Sequence, residues 1–202
     1  FKYWPMYGVV IAFKDYNVFK GISESEWAGL EVFSRIFRNV NFWNAVRNTL
    51  LLNLVTLSVT FPITIVVSLM LNEVLSVRFK KVSQSLLYLP HFISWVVVAG
   101  IATNLFSQRN GTINNLIMNA GGEAVPFLSS NGWWIFVYVV LNLWKEVGWG
   151  TIIYLAALTN VDETMYEAAY LDGATKFQRM IYVTLPAIKS VIVTMLILQV
   201  SK

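Results

Sequence analysis

Two uncharged stretches, Thr49–Leu71 and, with His91 neutral, Ser85–Phe106, constrain this chain more than any other feature. Each is longer than the ~18 residues at which an apolar run becomes a candidate membrane span. About 20 residues at 1.5 Å each cross a hydrocarbon core roughly 30 Å thick. Trp133–Leu158 is a third run, interrupted only by Lys145–Glu146, and Tyr182–Val200 is a fourth, with Lys189 near its start. A buried core helix explains one such run, but four in 202 residues leave too little polar surface to cover them. Charged residues make up 13% of the chain, about half the share in soluble globular domains. A transmembrane barrel needs alternating strands of about ten residues, and these runs do not alternate. The reading is an all-α, polytopic transmembrane helical bundle with spans near 49–71, 85–106, 133–158 and 182–200.

Residues 1–202 read as a single membrane domain without internal repeats or low-complexity linkers. The opening stretch FKYWPMYGVVIAFK is apolar but too short to span, and the chain ends directly after an apolar run, which predicts a fragment with spans missing at both ends. Segment 14–48 is a polar connection in which Trp27, Phe33, Phe37, Phe42 and Trp43 suit the headgroup boundary. Segment 72–84 is a short basic loop, and 107–132 a longer one with Gly111, Gly121, Gly122 and Pro126. The net charge of +4 suits loops beside anionic lipid and requires no nucleic acid. Zero cysteines exclude disulfides and thiolate metal sites.

Lys and Arg do not orient the spans. Arg78, Lys80, Lys81, Lys176 and Arg179 fall on one side, against Lys14, Lys20, Arg35, Arg38, Arg47 and Arg109 on the other. Five against six is no bias, and segment 14–48 is the longest connection, where the rule is weakest.

Residues 159–181 are the polar exception between apolar runs. Thr164 with Glu167, and Thr175 with Gln178, fit helix-opening capping boxes. Gly173 stands where a left-handed helix stop is wanted, and Pro186 suits the first turn of the next span. This predicts a helix, a glycine elbow, a second helix and re-entry into the membrane. Ala168 and Ala169 leave one face of the first helix nearly flat, with Glu167 and Asp172 supplying charge around it. An ordinary interfacial loop has a bulky apolar stripe and a basic polar face. Here acids precede bases and small residues hold the middle, which fits a docking element for a soluble partner.

The spacing Glu167-Ala168-Ala169, three residues, Gly173, nine residues, Val183, one residue, Leu185-Pro186 resembles the EAA signature of permease subunits in binding-protein-dependent ABC importers. Val183 departs from it, since the family favours isoleucine there. The stretches YLAALTNVDETMYEAAYLDGA and YGVVIAFKDYNVFKG look like the oligosaccharide branch of carbohydrate permeases. The resemblance implies a bundle of the type I ABC importer permease kind in the bacterial cytoplasmic (inner) membrane. It places 159–181 in the cytoplasm, where Glu167, Ala168, Ala169, Asp172, Gly173, Leu185 and Pro186 form the coupling segment, with 72–84 on the same side. Segments 14–48 and 107–132 then lie outside. The implied partners are an ATP-binding subunit, a second and non-identical permease subunit, an extracytoplasmic solute-binding protein and an oligosaccharide. ATP and Mg belong to the ATP-binding subunit. No cofactor is bound directly, which agrees with the lack of a GxxxxGK[ST] phosphate loop in this chain.

Lys145 and Glu146 sit mid-span, where a charge costs about 2.5–3.5 kcal/mol on insertion scales and so faces a bundle interior or a watery cavity. Tyr138, Asn142, Lys145 and Trp149 share one helix face. Two aromatics, an amide and a cation on one stripe suit a sugar, with Gly148 and Gly150 alongside. The alternative is that Lys145 and Glu146 fix packing against neighbouring helices. Asn53, Thr56, Thr60 and Thr64 form a second polar stripe, whose commoner use is interhelical hydrogen bonding. His91, four residues before Trp95, is the only histidine and suits lining or packing. A competing class, an intramembrane enzyme using Lys145, Glu146 and His91, lacks any accompanying serine–glycine or paired-aspartate pattern and leaves 159–181 unexplained. A third, a structural scaffold, leaves the mid-span charges without a role.

Overall fold

The computed structural model describes residues 4–201 and falls into two compact units, Phe1–Leu52 and Asn53–Lys202. In the first, residues Trp4–Phe13 form a 3-10 helix that runs into a short antiparallel ribbon, β1 (Lys14–Asp15) with β2 (Glu26–Trp27). A turn, α1 (Gly21–Glu24), connects the two strands. Buried Ser25 closes that turn by accepting from the Asn17 N–H at 3.1 Å and donating to the Gly21 carbonyl at 2.6 Å. The Phe13 ring stacks on Trp27 at 5.9 Å and tilts against Phe33 of α2 (Glu31–Arg38) at 5.3 Å. Phe33 and Trp27, expected at a headgroup boundary, thus pack on the N-terminal stretch and build a small fold with it.

Helix α3 runs over Val40–Asn72. Its 33 residues span about 50 Å, more than the run 49–71, because Asn39 caps it by accepting from the Asn41 N–H at 2.9 Å. Thr60, Thr64 and Ser68 on its polar stripe are buried. Thr64 donates to the Thr60 carbonyl and Ser68 to the Ile65 carbonyl, each at 2.7 Å, so both hydroxyls are satisfied within the helix. Thr60 also meets Asn142 Oδ1 across helices at 3.5 Å.

The remaining elements are α4 (Val77–Tyr88), a 3-10 turn (Leu89–Phe92), α5 (Trp95–Phe106), α6 (Thr112–Asn119), α7 (Asn131–Leu158), α8 (Glu163–Leu171), α9 (Lys176–Arg179), a π-helical turn (Met180–Thr184), α10 (Leu185–Ala187) and α11 (Lys189–Val200). Tyr154, Leu155 and Leu158 of α7 form the core with Leu69 and Leu71 of α3 and with Ile188. Two α7 glycines set its approach to its neighbours. A Cβ on Gly148 would overlap the Leu87 carbonyl of α4, and one on Gly150 would sit 2.6 Å from Thr64 Cγ2 of α3.

Three expectations change in this unit. The run 85–106 is not one helix, because α4 with its 3-10 turn meets α5 at 98°. Ser94 starts α5 by accepting from the Val97 N–H at 3.4 Å, and Pro90 cannot donate to the turn before it. The run 182–200 starts earlier, as helix 176–187, and bends by 64° into α11. Pro186 therefore lies inside a helical stretch; the π turn, in which the Leu185 N–H reaches the Met180 carbonyl, precedes it. The long loop 107–132 contains α6 and is stapled by fully buried Asn114. Its amide donates to the Ser107 carbonyl at 3.1 Å and the Val125 carbonyl at 2.9 Å, and accepts from the Val125 N–H at 2.8 Å.

Among the described residues one helix, α3, is by itself long and apolar enough to cross a membrane, or up to three if each bent pair is one span. Helix α7 is long enough at 28 residues, but Asn142, Lys145, Glu146 and four tryptophans lower its apolarity.

Candidate functional site

Lys145 lies at the middle of the site. It is 6% exposed, and its ammonium donates to the His91 carbonyl at 2.7 Å. That carbonyl ends the 3-10 turn at the α4–α5 break, where a helix terminus leaves carbonyls without helical partners and carries partial negative charge. A buried charge is tolerated only when paired and hydrogen-bonded. Lys145 has both: Glu146 Oε1 stands 3.8 Å from Nζ, and the Trp95 ring lies beneath it at 5.6 Å. Glu146 Oε2 comes within 3.4 Å of His91 Nδ1, an approach without hydrogen-bond geometry, so Nδ1 is buried and unpartnered.

Two ring stacks leave this point. On one side Trp149 lies nearly parallel to His91 at 4.9 Å and to Tyr88 at 5.8 Å. On the other, Trp95 stacks on Tyr138 at 6.4 Å and Tyr138 on Trp134 at 5.6 Å. Trp149 at 41%, Trp95 at 45% and Trp134 at 41% remain open to a neighbour. Asn142 is half-buried between helices, opposite Thr60.

The stripe Tyr138, Asn142, Lys145 and Trp149 thus runs along α7, with His91 and Trp95 brought to it from either side of the break. His91 and Trp95 do not share a helix face; they converge on Lys145 because the chain turns between them. Sequence reading missed Tyr88 and Trp134. Trp134 was accessible, being four residues before Tyr138 on the same stripe. Tyr88 carries no local signal, since it reaches Trp149 only through the Gly148 crossing. Among the described residues no group of three or more His, Cys, Asp or Glu could hold a metal ion.

The segment 159–181 builds a second structure. Asp162, not Thr164, caps α8 by accepting from the Thr164 N–H at 2.9 Å. The expected Thr164–Glu167 box does not form, because α8 opens two residues earlier than that box requires, at Glu163. Hydrogen bonds from the Thr164 backbone and then its side chain hold the Asp162 carboxyl below its usual range. Its folded value being depressed, the cap is present above the ordinary carboxylate range and is lost as pH falls through the lowered value.

Helix α8 ends in a complete Schellman motif. Gly173 has φ +74°, its N–H reaches the Tyr170 carbonyl, and the Ala174 N–H reaches the Ala169 carbonyl, each at 3.0 Å. The Thr175–Gln178 capping box then opens α9, with Gln178 Oε1 2.8 Å from the Thr175 N–H. Glu167, Ala168 and Asp172 are exposed and Ala169 half-buried. Met165, Tyr170, Leu171 and Phe177 are exposed around them, so the face is more apolar than Ala168 and Ala169 suggest. Leu185 is half-buried against the core, and Pro186 is exposed.

A polar, glycine-stopped segment between apolar helices fits a transport permease. Residues 32–202 match the model of the family described as binding-protein-dependent transport system inner membrane component, and the chain belongs to that family. It is 49% identical over 200 residues to the polygalacturonan/rhamnogalacturonan transport system permease protein YteP of Bacillus subtilis (strain 168), covering 99% of this chain and 62% of that protein. With Protein LplB of the same organism it shares 46% identity over 99% of this chain and 63% of that protein. A crystal structure of a bacterial ABC transporter involved in import of the acidic polysaccharide alginate superposes with a TM-score of 0.89 at 38% identity, over 98% of this chain and 66% of that one. The chain thus spans just under two thirds of the length of these relatives. Membership in an inner-membrane transport family puts the chain in that membrane and sets aside the intramembrane-enzyme reading.

Proposed function

We propose that the chain is part of the permease subunit of an ATP-driven importer and forms the translocation path for an oligosaccharide delivered by an extracytoplasmic solute-binding protein. The path runs along Tyr138, Asn142, Lys145, Glu146 and Trp149, with His91 and Trp95 at the helix break. A second, non-identical permease subunit completes it. The ATP-binding subunit, which holds ATP and Mg, docks on the face of α8 that carries Glu167, Ala168, Ala169 and Asp172. Gly173 is the elbow of that coupling segment, and Leu185–Pro186 lie on the helix behind it.

The observation that carries this reading is the meeting of two aromatic stacks at the α4–α5 break. Partly open rings offer apolar faces to the C–H side of a pyranose, while Asn142 supplies an amide for hydroxyls. Sites of this kind are mostly apolar with a few placed polar groups. The relatives are named for polygalacturonan/rhamnogalacturonan and for alginate, so an acidic oligosaccharide is the first candidate.

The test is ATP-dependent uptake of a labelled oligogalacturonide into vesicles holding the full-length permease with its ATP-binding subunit, partner permease and binding protein. Trp149→Ala should reduce uptake while the yield of assembled complex stays at the wild-type level. Wild-type uptake in both Trp149→Ala and Tyr138→Ala would remove the path from these residues.

A further inference from the structure

Lys145 is the cation on the α7 stripe, and two roles compete for it. It could meet a sugar carboxylate, or it could act on the wall around it. Its surroundings favour the second. An ammonium has three N–H donors and no acceptor. One is committed to the His91 carbonyl at 2.7 Å, Glu146 Oε1 stands 3.8 Å away, and the Trp95 ring lies 5.6 Å beneath the charge. With the residue 6% exposed, a carboxylate would have to reach an ammonium that is already buried and also face Glu146.

The group that Lys145 does hold is the hinge. His91 and Trp95 lie on either side of the Ile93–Ser94 link, where the chain turns by 98°. His91 belongs to one ring stack and Trp95 to the other. One ammonium thus touches the backbone of the first and the ring of the second.

We infer that Lys145 is a positioning residue: by tying the α4–α5 break to α7 it sets both aromatic stacks, and it does not bind the sugar. This rests on the proposed path. Its loss leaves the His91 carbonyl and Glu146 without that partner, and His91 and Trp95 shift relative to Trp149 and Tyr138. Misplacement of positioning groups by about 1 Å costs up to about a hundredfold in well-built sites.

The experiment uses the assembled transporter in vesicles, with an oligogalacturonide and its fully methyl-esterified form as probes. Lys145→Met, Trp95→Ala and the double variant are each compared with the wild-type chain for the apparent KM of uptake. Lys145→Met should raise KM by the same factor, between about tenfold and a hundredfold, for the free acid and the ester. In the Trp95→Ala background it should cost less than in the wild-type chain, because only the His91–Trp149 stack is then left for Lys145 to set. A loss much larger for the free acid than for the ester would mean that Lys145 meets the carboxylate, and it overturns the proposal. Multiplicative losses in the double variant overturn it as well. If Lys145→Met fails to assemble, the acid-to-ester comparison on Lys145→Gln, which keeps an N–H donor for the His91 carbonyl and removes the charge, decides by the same criterion. Wild-type uptake of both sugars by Trp95→Ala and Trp149→Ala would instead bring down the path itself, whatever Lys145 does.

Discussion

The hydroxyl of Tyr166 lies 3.0 Å from Thr184 Oγ1, joining the middle of α8 to the end of the π turn across the Gly173 elbow. Thr184 is buried and also donates to the Arg179 carbonyl at 3.4 Å. The contact braces α8 against the helical stretch 176–187, and on the proposed docking role of α8 a push there would be passed across the elbow. Tyr166→Phe deletes one hydrogen bond, worth about 0.5–1.5 kcal/mol. The ATP-binding subunit should still bind, while ATP hydrolysis rises relative to sugar moved. Parallel assays of hydrolysis and uptake measure the ratio. An unchanged ratio means that the brace does not carry coupling.

Gly173 requires its backbone, not its space. A Cβ there meets nothing within 4 Å, but φ is +74°. A left-handed conformation costs an ordinary L-residue about 1–2 kcal/mol, and asparagine less. Gly173→Asn should therefore retain coupled uptake, and Gly173→Val should lose it while still inserting. Equal behaviour of the two variants in the same uptake assay would mean that the elbow geometry is dispensable.

Gly148 makes the opposite demand. A methyl group there would drive into the Leu87 carbonyl, so Gly148→Ala must push α4 from α7 at a cost of about 1–3 kcal/mol. Gly132, on the same helix, has open space and serves as the control. Thermal inactivation of the purified complex should come earlier in Gly148→Ala and be unchanged in Gly132→Ala. Matching curves would argue against the tight crossing.

Asn114→Ala removes three hydrogen bonds at once and leaves the Ser107 carbonyl and both Val125 backbone groups without that partner. Both carbonyls keep a backbone donor, Gly111 for Ser107 and Phe127 for Val125, so the Val125 N–H is the group left stranded, at a cost of about 1–3 kcal/mol. Limited proteolysis of intact vesicles should open segment 107–132 in the variant and spare it in wild type. Equal protection would place the loop's stability elsewhere.

Cysteines introduced at Glu123 and Lys80 should react with an impermeant maleimide from opposite sides of the membrane, Glu123 from outside. The orientation rests on family resemblance, because the basic residues divide five against six. Labelling from one side only would mean that the bent pair 77–106 does not cross as one span.

The sequence by itself determined the solvent of this protein and its helical class, and it marked 159–181 as a polar segment between apolar runs. Uncharged runs longer than a bilayer need cannot be covered by the polar residues left, whatever the topology. The Schellman stop at Gly173 and the Thr175–Gln178 box were equally legible, because both are set by φ preference and by partners within six residues. Asp162 displaced Thr164 as the cap for a reason of the same local kind, a choice between two oxygen acceptors near one helix start.

What tertiary structure decided is everything that depends on residues far apart in the chain meeting. The turn within 85–106 carries no charge and no glycine at Ile93–Ser94, so hydropathy runs through it. Pro90 and Ser94 permit it, and Lys145, 54 residues away, ties it down by donating to the His91 carbonyl. The same contact turns a mid-span lysine that reads as a ligand for sugar into one that is buried and tied to the backbone of the break. Asn114 looked like one more loop amide until the chain returned at Val125 to close around it. Local preferences fix caps, elbows and spans, whereas the use of a buried polar group is set by whichever distant partner satisfies it.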